Sequence, residues 1–267
     1  MAGRLHETAV SFVNNIINRR FNQYVRTATN SFLDPPLGGE FERSRKVPDV
    51  AIWDRGQGTG DRLLAVVEVA SSQCKKDLHQ VMEFWFRTYP DLPRVILLNI
   101  TEDTPYRPPN NPNLKDLKAI LENEEFGYPP GGPVRDKNQH QWVGNLTFTW
   151  EVWVRPTRAR KPKQTFKKDF LPITKPGLRL PLFKINGQDA EIVPEEIQRF
   201  RDEELEWAVI GEVKQRIRSV YMERTAANEE ARNREENKTQ VESKRQEAVN
   251  QRQARWERRQ TRREKQQ

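Results

Sequence analysis

Residues 63–100 read LLAVVEVASSQCKKDLHQVMEFWFRTYPDLPRVILLNI, and this stretch decides the fold. Residues 63–69 are apolar at every position but Glu68, the composition of a strand covered on both faces in the middle of a sheet. After the polar break Ser71, Ser72, Gln73, the side chains of Leu78, Val81, Met82, Trp85 and Phe86 recur at i, i+3, i+4, i+7 and i+8. That stripe predicts a helix over 74–89 with one face laid on the sheet. Pro90 and Pro93 end the helix, and residues 94–100 make a second buried strand. Strand, helix, strand over so short a span is a right-handed parallel crossover, and the fold class is α/β.

Upstream, Leu5, Ala9, Phe12, Val13, Ile16, Ile17 and Phe21 predict an amphipathic helix from Arg4 to about Tyr24. Pro35, Pro36, Gly38 and Gly39 then break the chain, and residues 40–55 read as one or two short strands containing PDVAIWD (48–54). Gly56, Gly58 and Gly60 in DRGQGTGDR (54–62) imitate a phosphate-binding loop. A β-rich run follows them, with no helix carrying Lys-Ser/Thr, so they mark a hairpin turn.

Downstream, residues 101–141 are rich in Pro, Asn and Gly around one helical patch at 114–121 and read as an insertion at the sheet's edge. Residues 142–154 alternate, with Leu146, Phe148, Trp150, Val152 and Val154 on one face and Asn145, Thr147, Thr149 and Glu151 on the other. A half-exposed strand is expected there, closing a core of residues 1–155. RPTRARKPKQTFKK (155–168) has no acid, and residues 156–193 read as a basic linker. Pro194 opens an amphipathic helix over 194–222, in which Leu205, Val209, Val213, Ile217, Val220 and Tyr221 form a stripe for the core, a protein partner or a second copy of the chain. Residues 223–267 carry Trp256 almost alone among charged and amide side chains, which predicts a solvated, charged helical tail or one disordered until bound.

Composition narrows the function classes. Of 267 residues, 35% are hydrophobic and 31% charged, so part of the chain stays outside the core. No window approaches the roughly 18 apolar residues of a membrane span, and MAGRLHETAV lacks the apolar run of a signal peptide; an intracellular protein, nuclear or cytoplasmic, is expected. The single cysteine, Cys74, forms no disulfide within the chain and reads as a small buried residue, and His6, His79 and His140 have no metal-ligand spacing. Zinc chemistry is set aside on that basis. The net charge of +8 favours a polyanionic partner such as nucleic acid. Residues 211–267 hold 16 Lys/Arg against 10 Asp/Glu, leaving 30 against 28 elsewhere. Within the nearly neutral remainder, Arg158, Arg160, Lys161, Lys163, Lys167 and Lys168 are the candidate phosphate contacts.

Asp49 and Glu68 are the candidate chemical residues. A carboxylate inside an apolar strand costs several kcal/mol unless it is neutralised, paired or bound to a cation. If the strand after Asp49 pairs antiparallel with residues 63–70 across the Gly-rich turn, both carboxylates meet at one sheet edge and can hold Mg²⁺ with most of its waters. A structural reading stays open beside this one, with Asp49 capping a turn and Glu68 ion-paired to Arg45 or Arg62. Ser71, Ser72 and Gln73 equally suit a plain strand-to-helix break. His79, on the polar side of its helix, reads as inert.

KVPDVAIWD (46–54), LLAVVEVASSQ (63–73), the helix with Trp85 and RVILLNITED (94–103) together resemble the PD-(D/E)XK nuclease-like superfamily with its restriction-endonuclease-like fold, closest to a fungal group with a PD…EV…SQ…W…VILV pattern. The resemblance covers roughly residues 5–103. It implies a Mg²⁺-dependent nuclease in which Asp49, Glu68 and the carbonyl of Val69 hold the ion. The superfamily's lysine belongs two positions after the glutamate, where this chain has Ala70. Gln73 could orient a water, and Lys46 or Lys75 could supply the missing amine from another position. An extra acid from the first helix would be Glu7, with Glu40 as a strand alternative. The departure at Ala70 also leaves open a catalytically inactive descendant that serves as a nucleic-acid-binding or protein-interaction module. A third reading makes the chain a helical assembly factor through residues 194–222.

Overall fold

The computed structural model describes residues 3–30, 33, 46–56, 62–71, 75–110, 112–122, 131–136, 138–156, 161–171 and 175–264, without the side chains of 75–76, 249, 251 and 253–264. In chain order the elements are α1 (Arg4–Phe21), β1 (Val25–Thr29), β2 (Val50–Asp54), β3 (Arg62–Ser71), α2 (Lys75–Thr88), β4 (Arg94–Glu102) and α3 (Leu114–Glu122). There follow β5 (Val134–Arg135), β6 (Gln141–Val143), β7 (Leu146–Val154), β8 (Lys163–Leu171), β9 (Leu180–Ile185), β10 (Gln188–Ile192), α4 (Pro194–Arg199), a π-helical turn at Phe200–Glu204, and α5 (Leu205–Glu264). No helix among the described residues is long and apolar enough to cross a membrane.

The protein is α/β with a mixed, six-stranded central sheet of order β1-β2-β3-β4-β7-β8. β3 and β4 pair in parallel, joined by α2, as the apolar runs and the helical stripe between them require. The remaining neighbours pair antiparallel, including β2 with β3; the hairpin turn expected between them falls largely on residues 57–61, outside the described ones. Side-chain alternation splits the sheet into two faces. Ala51, Val66, Ala70, Val95 and Leu97 form one core with Leu78, Met82, Trp85 and Phe86 of α2. At about 1.5–3 kcal/mol for each large apolar side chain buried, this stripe alone anchors α2. On the opposite face α1 buries Leu5, Ala9, Phe12, Val13, Ile16 and Ile17. Phe12 there meets Phe200 with ring centroids 4.2 Å apart, and Phe200 lies 6.0 Å from Phe148 of β7.

Three expectations change. β1 forms an edge strand that the sequence pattern does not announce, pairing Val25–Thr29 with β2. β7 is covered on both faces rather than half-exposed, because β8 pairs beyond it and the β9–β10 hairpin lies against it, with the Trp150 indole N–H donating to Pro181 O at 3.0 Å. The basic linker expected over 156–193 is largely sheet: residues 163–171 are β8 and 180–192 the hairpin. The lysines of β8 sit on an alternating strand whose end, Phe170 and Leu171, is buried, and Lys167 is drawn to Glu151, whose side chain is 3% exposed.

The chain divides into two compact units, residues 1–110 with 123–216, and 111–122 with 217–267. In the first unit α5 contributes Leu205, Val209 and Val213 as buried residues, and Arg216 grips Glu102 with both terminal nitrogens at 3.1 Å. The same guanidinium donates to Glu212 and to Trp142 O. The second unit buries Leu117, Ile217 and Val220, while the described side chains of α5 beyond residue 225 are exposed, so that part of the tail is a solvated helix.

Candidate functional site

Pro48 precedes Asp49 at the entry to β2, and the register Val50↔Val67 brings Asp49 level with Glu68 at the C-terminal end of β3. Asp49 Oδ2 accepts the Val69 N–H at 2.7 Å, which ties the start of one strand to the end of the other. Its other oxygen, Oδ1, lies 3.2 Å from His6 Nε2.

Glu68 is 7% exposed and points toward α2. Its Oε1 accepts the Trp85 indole N–H at 2.5 Å, and its Oε2 is 3.9 Å from the Lys46 ammonium, which itself sits 6.0 Å over the Trp85 ring. Burial pushes the Glu68 carboxyl up to about 7; Lys46 opposes that rise and the Asp49 charge adds to it. Burial likewise lowers the Lys46 ammonium, against the attraction of Glu68 and Asp49. His6 is raised, foremost by its hydrogen bond to Asp49, with burial pulling the other way and the Val69 main chain and Glu68 adding to the rise. Four groups from α1, the approach to β2, and β3 therefore share one electrostatic environment.

No family model matches this chain, and no curated protein or solved structure matches it. What the site can do rests on its own geometry.

Of the residues singled out from sequence, Asp49, Glu68, Val69 and Lys46 come together. Ala70 is buried in the core beneath α2, so no amine occupies the place two residues after the glutamate. Gln73 lies outside the described residues, as do Glu40, Arg45 and Cys74; Lys75 opens α2, with its side chain outside them. Glu7 is exposed, and α1 contributes His6 in place of an acid. His6 had a signal: it stands three, four and seven residues before Ala9, Val10 and Val13, at the end of the buried stripe of α1. Glu68 pairs with Lys46 and not with Arg62.

Arg158 and Arg160 lie outside the described residues, whereas Lys161, Lys163 and Lys168 are exposed on or beside β8. Lys167 is committed to Glu151, 2.8 Å from its Oε1. His79, read as inert, lies 3.0 Å from Glu151 Oε2, which also accepts from Trp153 Nε1 at 3.2 Å. Burial raises Glu151, but the bonds from Lys167, His79 and Trp153 outweigh it and hold the carboxyl below its ordinary range.

Among the described residues, no group of three or more His, Cys, Asp or Glu forms a ready metal cage. Asp49 and Glu68 are hard oxygen donors of the kind Mg²⁺ takes, and each of their four oxygens faces a donor of the chain.

Proposed function

We propose that this chain is a Mg²⁺-dependent nuclease-like protein of restriction-endonuclease-like fold that hydrolyses DNA phosphodiesters. The observation that carries the reading is the Lys46 ammonium 3.9 Å from Glu68 Oε2, beside the Asp49–Glu68 pair. It supplies, from a neighbouring segment, the positive charge that Ala70 cannot. The order of helix, strands, Asp, Glu, helix and strand supports the same reading.

Asp49, Glu68 and the Val69 carbonyl would hold Mg²⁺, which when bound lowers the pKa of water and screens charge on a phosphodiester. Trp85 aims Glu68 by fixing Oε1, and the Val69 N–H aims Asp49 by fixing Oδ2. His6 holds Asp49 from the α1 side. Lys46, beside Glu68, would supply positive charge to stabilise the phosphorane-like transition state. The exposed Lys161, Lys163 and Lys168 would contribute affinity without sequence choice.

The test is cleavage of supercoiled and linear DNA in Mg²⁺ by the full chain. Loss of about a hundredfold or more is expected in Asp49→Asn, Glu68→Gln and Lys46→Met. Absence of cleavage by the folded wild-type chain in Mg²⁺ or Mn²⁺, or equal cleavage by Glu68→Gln, rejects the reading.

A second reading, an inactive nuclease-fold module that binds nucleic acid or a protein, draws on one specific feature. All four carboxylate oxygens of Asp49 and Glu68 already face donors of the chain itself, namely Val69, His6, Trp85 and Lys46. Salt-sensitive DNA binding that survives Glu68→Gln, without cleavage, would select it.

A further inference from the structure

A cavity of about 210 Å³ opens at the other end of the strands, lined by Arg62, Leu64, Pro93, Arg94, Val154 and Lys184. The strands explain the convergence. Arg62 starts β3, Arg94 starts β4, Val154 ends β7, and Lys184 reaches in from β9, which lies over that face. Arg62 is six residues, roughly 20 Å of extended strand, from Glu68. The carboxylate site faces α2, whereas this cavity belongs to the face shared with β9.

Three cations bound one small space. Arg94 is 9% exposed; its Nη2 lies 3.2 Å from Asp189 Oδ1, but its buried Nη1 has no hydrogen-bond partner. A buried guanidinium N–H left without an acceptor asks for one, since the group has lost water and gained nothing in return. Arg62 and Lys184 are exposed at the rim, and among the described residues neither has an ion-pair partner. Asp189 is the cross-strand neighbour of Lys184, yet its carboxylate is taken up by Arg94. Three cations line the cavity, against Asp189 on Arg94 and Asp54 opposite Arg62 in the strand register, and the balance is positive.

We propose that this cavity is a binding site for a phosphate monoester. A tetrahedral dianion answers that positive balance and offers separate oxygens to Arg62 and Lys184 at the rim, with the Arg94 guanidinium as fixed positive charge in the wall. The apolar walls, Leu64, Pro93 and Val154, exclude water around those contacts and strengthen them. The site does not depend on the Asp49–Glu68 chemistry. Two sources present this group: a small phosphorylated metabolite and the terminal phosphate of a nucleic-acid strand.

Titration of the full chain with inorganic phosphate, followed by calorimetry and phosphorus NMR line width, tests the assignment. Binding is expected, weakened about tenfold in each of Lys184→Gln and Arg62→Gln and unchanged in Glu68→Gln. Arg94→Met should abolish it, and the two rim variants keep the test decisive if loss of a buried arginine unfolds the chain. Failure of the folded wild-type chain to bind phosphate, or binding unaltered in the Arg62→Gln/Lys184→Gln double variant, overturns the proposal. Competition by a DNA strand that needs its terminal phosphate supports the nucleic-acid source, and competition by small monoesters alone supports the metabolite. Equal competition by a strand lacking that phosphate overturns the monoester assignment.

Discussion

Glu68 Oε1 accepts the indole N–H of Trp85 at 2.5 Å, so a carboxylate in the middle of an apolar strand is held by the helix that packs over it. One oxygen is satisfied by a neutral donor, and the other faces Lys46 at the longer distance of 3.9 Å. Burial therefore prevails, and the group keeps its proton to about 7.

That proton links stability to pH. Between the ordinary value of 4.5 and about 7, the folded chain binds a proton at Glu68 that the unfolded chain has released. Stability must then fall as pH rises through this window, by about 3 kcal/mol from this group alone. The raised His6 acts in the same direction, its contribution being complete below the unfolded value of 6.5 and lost as pH rises through the folded one. Urea midpoints at about pH 5 and about pH 8 should show the loss, and Glu68→Gln should remove most of it. An equal loss in the variant would assign the effect elsewhere.

Mg²⁺ should substitute for the proton. At about pH 8, where Glu68 is ionised, added MgCl₂ is expected to raise the thermal midpoint of the wild-type chain progressively, by mass action. The rise should be absent in Glu68→Gln and in Asp49→Asn.

Trp85→Phe removes the donor while keeping a ring in the core beneath α2. A cost of about 1–3 kcal/mol is expected, the penalty of an unsatisfied buried acceptor. In a Trp85→Phe, Glu68→Gln cycle measured by denaturant unfolding, the two losses should fail to add, because both act on one bond.

Arg216 and Glu102 join α5 to the end of β4 through two 3.1 Å bonds, and Glu102 also accepts the Gly144 N–H at 2.5 Å. Replacing Glu102 by Gln removes one of two carboxylates from a half-buried guanidinium, which keeps Glu212, at a cost of about 1–3 kcal/mol. Replacing both, Glu102→Gln with Arg216→Met, should destabilise less than the sum of the single changes in the same unfolding assay.

Much of this arrangement is legible in the residues themselves. The runs at 63–69 and 94–100 with a helical stripe between them define the crossover, and the antiparallel register of β2 on β3 brings Asp49 level with Glu68. Lys46 and Lys75 stand as equals in the sequence, because nothing local says which amine swings toward the glutamate; Lys46 lies 3.9 Å from it, and the Lys75 side chain is outside the described residues. His6 is hidden by its neighbours: only the three-dimensional meeting of α1 with the β2 entry gives an imidazole at the end of an apolar stripe a carboxylate to bind. β8 is hidden by its own charge. Its lysines, Lys163, Lys167 and Lys168, suggest a linker until Glu151 on the adjacent strand supplies the buried carboxylate that one of them neutralises. β1 carries no apolar alternation strong enough to announce a strand, and its five residues owe their extended form to pairing with β2.

β8 closes one margin of the central sheet, and its outward backbone is bordered by Lys163 and Lys168. A strand in that position offers free N–H and C=O groups to any extended chain that approaches, and ammonium groups repel a second copy of themselves. Among the described residues nothing pairs beyond β8, and the lysines that disguise the strand in the sequence are of the kind that discourages pairing through such a rim. Replacing them with threonine would keep the strand and remove that charge, leaving the margin of the central sheet open as a template for stacking.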